Sequence, residues 1–190
     1  MKLRLIKMKS VKSTNDIAIR LIKKNEFKPT LITTLTQRKG RGTMGKKWIS
    51  QKGNLFISIF FEINQKRINF KQFAILNAYL IKKIITKYAS KKIDIKWPND
   101  LLIKKEKVCG ILQEVIDYKN KKFLIIGVGI NTNFSPIIKT FKSTSLNNMG
   151  KKNINNNRIL KDIQKVYENF INDIEQYTFL ELKRKLVKNK

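Results

Sequence analysis

The sequence predicts one unit of the α+β class. Three observations carry that reading. Leu55, Ile57, Ile59 and Phe61 recur at every second position, the spacing of a strand with one firmly apolar face. FKQFAILNAYLIKKIITKY, residues 70–88, has the length and the apolar spacing of a helix. DYKNKK, residues 117–122, joins two apolar runs as a hairpin would, which makes those strands antiparallel neighbours.

The elements follow in order. Residues 3–8 read as the first strand. Ser13, Thr14, Asn15 and Asp16 supply N-cap residues ahead of the amphipathic stretch IAIRLIKK. The β-branched run LITTLT, residues 31–36, is a strand that leads into a glycine-rich loop. After the strand at 55–61 and the helix at 70–88 come three more strands, IDIKW, KVCGILQEVI and KFLIIGVGI. Residues 135–157 are polar, with Pro136 and runs of Asn, and read as loop. From Arg158 to about Lys188 the helical pattern returns. No internal repeat and no linker divides the chain into two cores.

Composition narrows the chemistry. A hydrophobic fraction of 42% over 190 residues fits one globular core rather than a disordered chain. The longest apolar runs, such as LFISIFF at 55–61, are too short to span a bilayer. The N-terminus, MKLRLIKMKS, alternates charged and apolar residues and lacks a signal-peptide core, so the expected location is the cytoplasm. The single Cys109 excludes an intrachain disulfide and, within VCGIL, reads as a small packing residue. With no histidine, a Ser-His-Asp or Cys-His apparatus is excluded, as are most zinc sites. Chemistry must rest on Lys, Arg, carboxylates, backbone amides or a hard metal ion.

The net charge of +29 raises nucleic-acid binding as a hypothesis. The charge is not patterned, however: lysines run from position 2 to 190, and tracts such as KKNINNNRIL suggest compositional drift rather than a footprint. A basic nucleic-acid-binding module stays open as the alternative.

Half of the eight glycines lie in TQRKGRGTMGKKWISQKGN, residues 36–54, among six basic residues. Glycine there lets the backbone bend tightly or approach a ligand closely, and the charge suits an anion. If a carboxylate is to attack the α-phosphate of ATP, both partners are anions. Catalysis is then mostly charge neutralisation and positioning. It calls for glycine-rich backbone, fixed cations and an oxygen ligand for Mg²⁺. Gly40, Gly42 and Gly45 with Arg41, Lys46 and Lys47 form such a loop. KWPND, residues 96–100, sets Asn99 and Asp100 at a strand end, and GVGIN, residues 127–131, ends a buried strand with two glycines and an amide. Taken singly, each also reads as an ordinary turn or cap. Together they describe a metal-assisted, phosphate-handling protein.

Order and spacing go further. STN at 13–15, QRKGRGTMGKKW at 37–48, KWPNDLL at 96–102, KVCGIL at 107–112 and GVGINTN at 127–133 together resemble the biotin–protein ligase family. The resemblance implies a biotin/lipoate ligase-like catalytic core, a mixed and largely antiparallel sheet flanked by helices. It also implies a two-step reaction, in which biotin and ATP give biotinyl-5′-AMP and pyrophosphate, and a lysine of a biotin carboxyl carrier protein then displaces AMP. That carrier would belong to a carboxylase such as acetyl-CoA carboxylase. The related lipoate ligases carry a different glycine-rich motif and lack KWPND, so a lipoate- or octanoate-type ligase is the second alternative.

Matched motif to motif, Lys107, Arg41 and Asp100 take catalytic roles. Ser13, Thr14, Gln37, Gly40, Arg41, Lys107, Gly110, Gly127 and Gly129 are the implied biotin contacts. Gly40, Arg41, Gly42, Trp48, Lys96 and Asn131 are implied for ATP and the adenylate, with Trp48 against adenine. Asp100 and Asn131 would position Mg²⁺, while Asn15 and Asn99 fit capping roles equally well. The loop is expected to be ordered by ligand rather than by its own packing.

Two departures stand out. Relatives commonly read GRGR in the loop where this chain reads GRGT, so Thr43 stands in place of an arginine and weaker retention of the adenylate is expected. The chain is also expected to be a single catalytic domain, residues 1–190, with neither the N-terminal helix-turn-helix domain nor the C-terminal β-barrel domain of many relatives. A homodimer paired through the sheet is the oligomer that the resemblance allows.

Overall fold

A computed structural model of the chain describes residues 1–63, 67–137, 141–149 and 154–188. In chain order these form β1 (Arg4–Val11), α1 (Thr14–Lys23), β2 (Thr30–Gln37), a 3-10 turn (Thr43–Gly45), β3 (Leu55–Glu62) and α2 (Phe70–Thr86). Then come β4 (Ile93–Lys96), β5 (Asp100–Ile103), β6 (Glu106–Tyr118), β7 (Lys121–Ile130), α3 (Asn156–Gln176) and α4 (Phe179–Lys188). The strands make one seven-stranded sheet in the order β1-β2-β3-β7-β6-β5-β4. β1 and β2 are parallel and joined through α1, and the other neighbouring pairs are antiparallel. The mixed, largely antiparallel α+β sheet implied by the sequence is the one observed. No helix among the described residues is long and apolar enough to cross a membrane.

Helices cover both faces. α1 sets Ala18 and Ile22 against Ile32, Phe60, Phe123 and Ile125. On the other face Ile57, Ile59 and Phe61 share a core with Leu76 and Ile81 of α2 and Ile163 and Phe170 of α3. β3 is therefore apolar on both faces, not one: Phe56, Ser58 and Phe60 are as buried as the residues between them. A strand sandwiched between two layers loses its alternation. Burying one such Phe contributes about 1.5–3 kcal/mol.

The sequence reading misses β5, because it takes WPND as a turn and runs on to the next strand. Residues 97–99 do turn, but as the hairpin that returns β4 into β5, with Lys96 opposite Asp100. β5 then reverses at Lys104 and Lys105, whose φ angles are +49° and +66°. Two lysines carry no turn signature. Asn120, in the equivalent left-handed pair with Lys119, does.

The C-terminal helical stretch is broken in two. Tyr177 is extended, and Thr178 restarts the chain. Its N–H and its hydroxyl both donate to the Glu181 carboxylate, at 2.8 and 2.9 Å, while the Glu181 N–H returns to Thr178 Oγ1 at 3.4 Å. This capping box is legible as T-x-x-E, and its backbone bond holds the Glu181 carboxyl below the usual range. Of the stretch read as loop, residues 138–140 and 150–153 lie outside the described residues, and Asn156 and Asn157 already belong to α3.

One irregularity aims a side chain. The β5–β6 ladder pairs Leu101 with Cys109 but Leu102 with Lys107, leaving Val108 as an extra residue. A bulge of this kind interrupts the alternation of faces. Val108 and Cys109 consequently both enter the core, and Lys107 turns to the face shared by Gly110.

Candidate active site

A cleft of about 830 Å³, counted out to its open mouth, forms where the N-terminus of α1, the loop after β2 and the β6–β7 pair meet. Gly110 and Gly129 are directly paired across β6 and β7 and make its floor. The indole of Trp48 lies across both: a Cβ at Gly110 would come within 2.6 Å of Trp48 Cζ3, and one at Gly129 would overlap the ring. Trp48 Nε1 is buried there without a partner.

Lys107 stands beside that ring. Its Nζ is 5.3 Å from the Trp48 centroid, 5.2 Å from the Phe141 centroid and 2.7 Å from Asp100 Oδ1. The Lys107 and Asp100 side chains are 17% and 20% exposed. The backbone of Lys107 is fixed by the following loop, since its N–H donates to the Lys142 carbonyl and its carbonyl accepts from Thr144 N–H, both at 2.9 Å. Asn131 donates through Nδ2 to the Thr144 carbonyl at 3.1 Å, leaving Oδ1 buried and unpartnered. Buried polar atoms are normally paired, so an orphaned donor and an orphaned acceptor in one cleft suit a polar ligand.

The other end of the cleft is a hydrogen-bonded set at the first turn of α1. Ser13 caps the helix by accepting from Asp16 N–H at 3.4 Å. Gln37 Oε1 accepts from the N–H and the hydroxyl of Thr14 at 2.8 and 3.1 Å, and its Nε2 donates to Ser50. Ser58 Oγ lies within hydrogen-bond reach of both Thr14 Oγ1 and Asn15 Oδ1 in the same set, sharing its one proton between them. The positive end of the helix dipole faces this corner and favours negative charge.

The structure gathers Ser13, Thr14, Gln37, Arg41, Gly42, Trp48, Lys107, Gly110, Gly127, Gly129 and Asn131 around the cleft. Lys96 is not among them; it is exposed on β4, opposite Asp100 in register. Gly40 is buried beneath the loop, where a Cβ would sit 2.5 Å from the Trp48 carbonyl, so it serves loop closure. The space that Gly127 leaves is filled by the Asn15 side chain. The loop is closed on itself through Gly42 N–H to the Lys46 carbonyl at 2.7 Å and Trp48 N–H to the Gly40 carbonyl at 2.9 Å. Arg41 is not a bare cation: its guanidinium is bidentate to Glu114, with both bonds at 2.8 Å, and its Nε is 3.0 Å from Asp16.

Glu114, Asp16 and Phe141 are the residues that sequence reasoning missed. Counting by twos from Gly110 along β6 passes through Leu112 to Glu114 on the cleft face, a signal that was present. Phe141 lies in a polar loop and had none.

The chain belongs to the biotin/lipoate A/B protein ligase family, whose model matches residues 8–131. It is similar to the bifunctional ligase/repressor BirA of Bacillus spizizenii, 31% identical over 180 residues that cover 91% of this chain and 55% of that protein. BirA of Bacillus subtilis is 36% identical over 126 residues, 65% of this chain and 39% of that protein. The chain thus spans about half or less of the length of these relatives. Among solved structures, the biotin protein ligase of Aquifex aeolicus in complex with biotin and ATP superposes with a TM-score of 0.79 at 31% identity, over 96% of this chain and 76% of that one.

Proposed function

We propose that this chain is the catalytic core of a biotin–protein ligase. The observation that carries the reading is the Lys107 ammonium, held beside Trp48 and the Gly110–Gly129 floor, in a fold similar to a ligase solved with biotin and ATP. In the first step the biotin carboxylate attacks the α-phosphorus of ATP, pyrophosphate leaves, and biotinyl-5′-AMP forms. In the second, the amine of an acceptor lysine attacks the acyl carbon and AMP departs with the bridging oxygen.

Both reactants of the first step are anions, and Lys107 supports it by lowering their repulsion as charge develops on the phosphate oxygens. In a partly desolvated cleft a fixed ammonium is worth more than one in water. Trp48 and the paired glycines supply a flat apolar slot, while Thr14, Gln37 and the α1 terminus offer polar groups to a ureido ring. Closure of the loop keeps water from the mixed anhydride.

Asp100 and Asn131 Oδ1 are hard oxygen donors that fit Mg²⁺. When bound, Mg²⁺ would draw negative charge off the triphosphate.

The acceptor would be a biotin carboxyl carrier protein of a carboxylase such as acetyl-CoA carboxylase, in the cytoplasm. The similar solved structure is a biotin protein ligase in complex with biotin and ATP, which leaves the lipoate and nucleic-acid readings with less behind them. Incubation with biotin, MgATP and a purified carrier domain tests the proposal by mass spectrometry. One biotinyl group on the acceptor lysine is expected, and an unmodified carrier in the presence of folded enzyme would contradict it.

A further inference from the structure

Residues 36–54 carry six basic side chains and no acidic one, so the loop cannot neutralise its own charge. Among the contacts that hold it closed is a fork-on-fork ion pair to carboxylates from elsewhere in the chain. Arg41 Nη1 and Nη2 donate to Oε1 and Oε2 of Glu114, each at 2.8 Å, and Nε lies 3.0 Å from Asp16 Oδ1. The side chains of Arg41, Glu114 and Asp16 are 36%, 25% and 34% exposed, so the pairing is partly shielded from water.

The grip is built in advance. Asn15 Nδ2 donates to Glu114 Oε2 at 2.6 Å and so fixes the carboxylate plane. Asn15 is fixed in turn by Ser58 and by the space above Gly127, where a Cβ would overlap its amide. β7, α1 and β6 therefore combine to present one oriented carboxylate, that of Glu114, to Arg41, with the Asp16 carboxylate close by. A bidentate, charge-assisted pair on a rigid base is stronger than an ordinary surface ion pair.

We propose that Glu114, flanked by Asp16, is a positioning residue that clasps Arg41 and holds the 40–48 loop over the cleft. Opening requires release of that clasp, which places retention of a bound acyl-adenylate under the control of residues that need not touch it. The part about the adenylate rests on the ligase reading above; the part about the loop does not.

Arg41, Lys46 and Lys47 are trypsin sites within the loop, with Arg38 and Lys39 at its base, so native-state proteolysis reads its opening with no ligand present. E114Q, which keeps size and shape, is expected to raise cleavage at these sites about 10-fold, with cleavage elsewhere unchanged. E114D, which keeps the charge, should recover part of the difference. In an R41K background, which removes the fork, E114Q should add little, since the two effects are one interaction. Preloaded biotinyl-5′-AMP should leave E114Q faster by a similar factor.

Unchanged loop cleavage in folded E114Q, or additive effects with R41K, would overturn the clasp. Faster cleavage with an unchanged adenylate off-rate would overturn its link to retention. If E114Q does not fold, D16N is read in the same way. If the wild-type chain forms no adenylate, the ligase reading fails, and the proteolysis arm still decides the clasp.

Discussion

The Lys107 ammonium lies 2.7 Å from the Asp100 carboxylate, with both side chains about four-fifths buried. The bulge at Val108 creates this pair by turning Lys107 out of the core and onto the cleft face. Removing one partner leaves the other charge poorly solvated. Lys107→Met and Asp100→Asn should each destabilise the chain by about 1–3 kcal/mol, read as a shift in urea midpoint. Lys107→Met/Asp100→Leu should recover much of that loss. It should not recover adenylation, which falls by about 10²–10³-fold whenever the ammonium is gone. A double variant with restored activity would show that the pair is structural only.

The floor makes a second prediction. A methyl group at Gly129 collides with the Trp48 indole, and one at Gly110 meets it at 2.6 Å. Gly129→Ala should expel the indole into water and shift its emission to longer wavelength, read in a Trp97→Phe background so that one Trp remains. Biotin affinity, measured by calorimetry, should fall at least about tenfold, since an overpacked site costs about 1–3 kcal/mol. Unaltered emission would mean that the glycines do not position Trp48.

Thr43 opens the 3-10 turn on the cleft wall. Thr43→Arg adds a cation beside the position of a bound adenylate. Its release, followed by stopped flow, should slow by about 10-fold. An equal or faster rate would show that the loop retains its ligand by other means.

Cys109 sits in the core one residue from the cleft floor. Burial pushes its thiol far above the ordinary value of 9.0, against a smaller opposing pull from Lys107. The native thiol should therefore ignore thiol reagents until denaturant is added. The sign of the pH effect follows. Above about pH 9 the unfolded thiol loses its proton while the native one keeps it, so the unfolded state binds fewer protons and stability falls as pH rises. Cys109→Ala should flatten the alkaline slope of the unfolding free energy. A remaining slope from about pH 10 would come from Tyr167, raised by the same burial, together with Tyr88, raised by burial and its bond to Asp162.

How much of this was legible in the sequence depended on local signals. The β6–β7 hairpin could be read because Asn120 tolerates a left-handed backbone; β5 could not, because Lys104 and Lys105 turn the chain without any such mark. The break before α4 was written as a capping box and overlooked, since apolar spacing continues on both sides of it. At the site, the order of short motifs located the cleft residues, but not what each one faces. The space above Gly127 takes the Asn15 side chain, and the Arg41 guanidinium meets Glu114 and Asp16, contacts that no motif announces. Such pairings, with Arg41 and Glu114 73 positions apart, arise only when the sheet closes.

Biotin-dependent exchange of pyrophosphate into ATP is the most direct test, run with wild type and Lys107→Ala at equal, verified folding. Exchange in the wild type that depends on biotin and Mg²⁺, and falls about 10²-fold or more in Lys107→Ala, is the predicted result. Absence of exchange with biotin in the wild type, or undiminished exchange in the variant, would contradict adenylation of biotin at the Lys107 cleft.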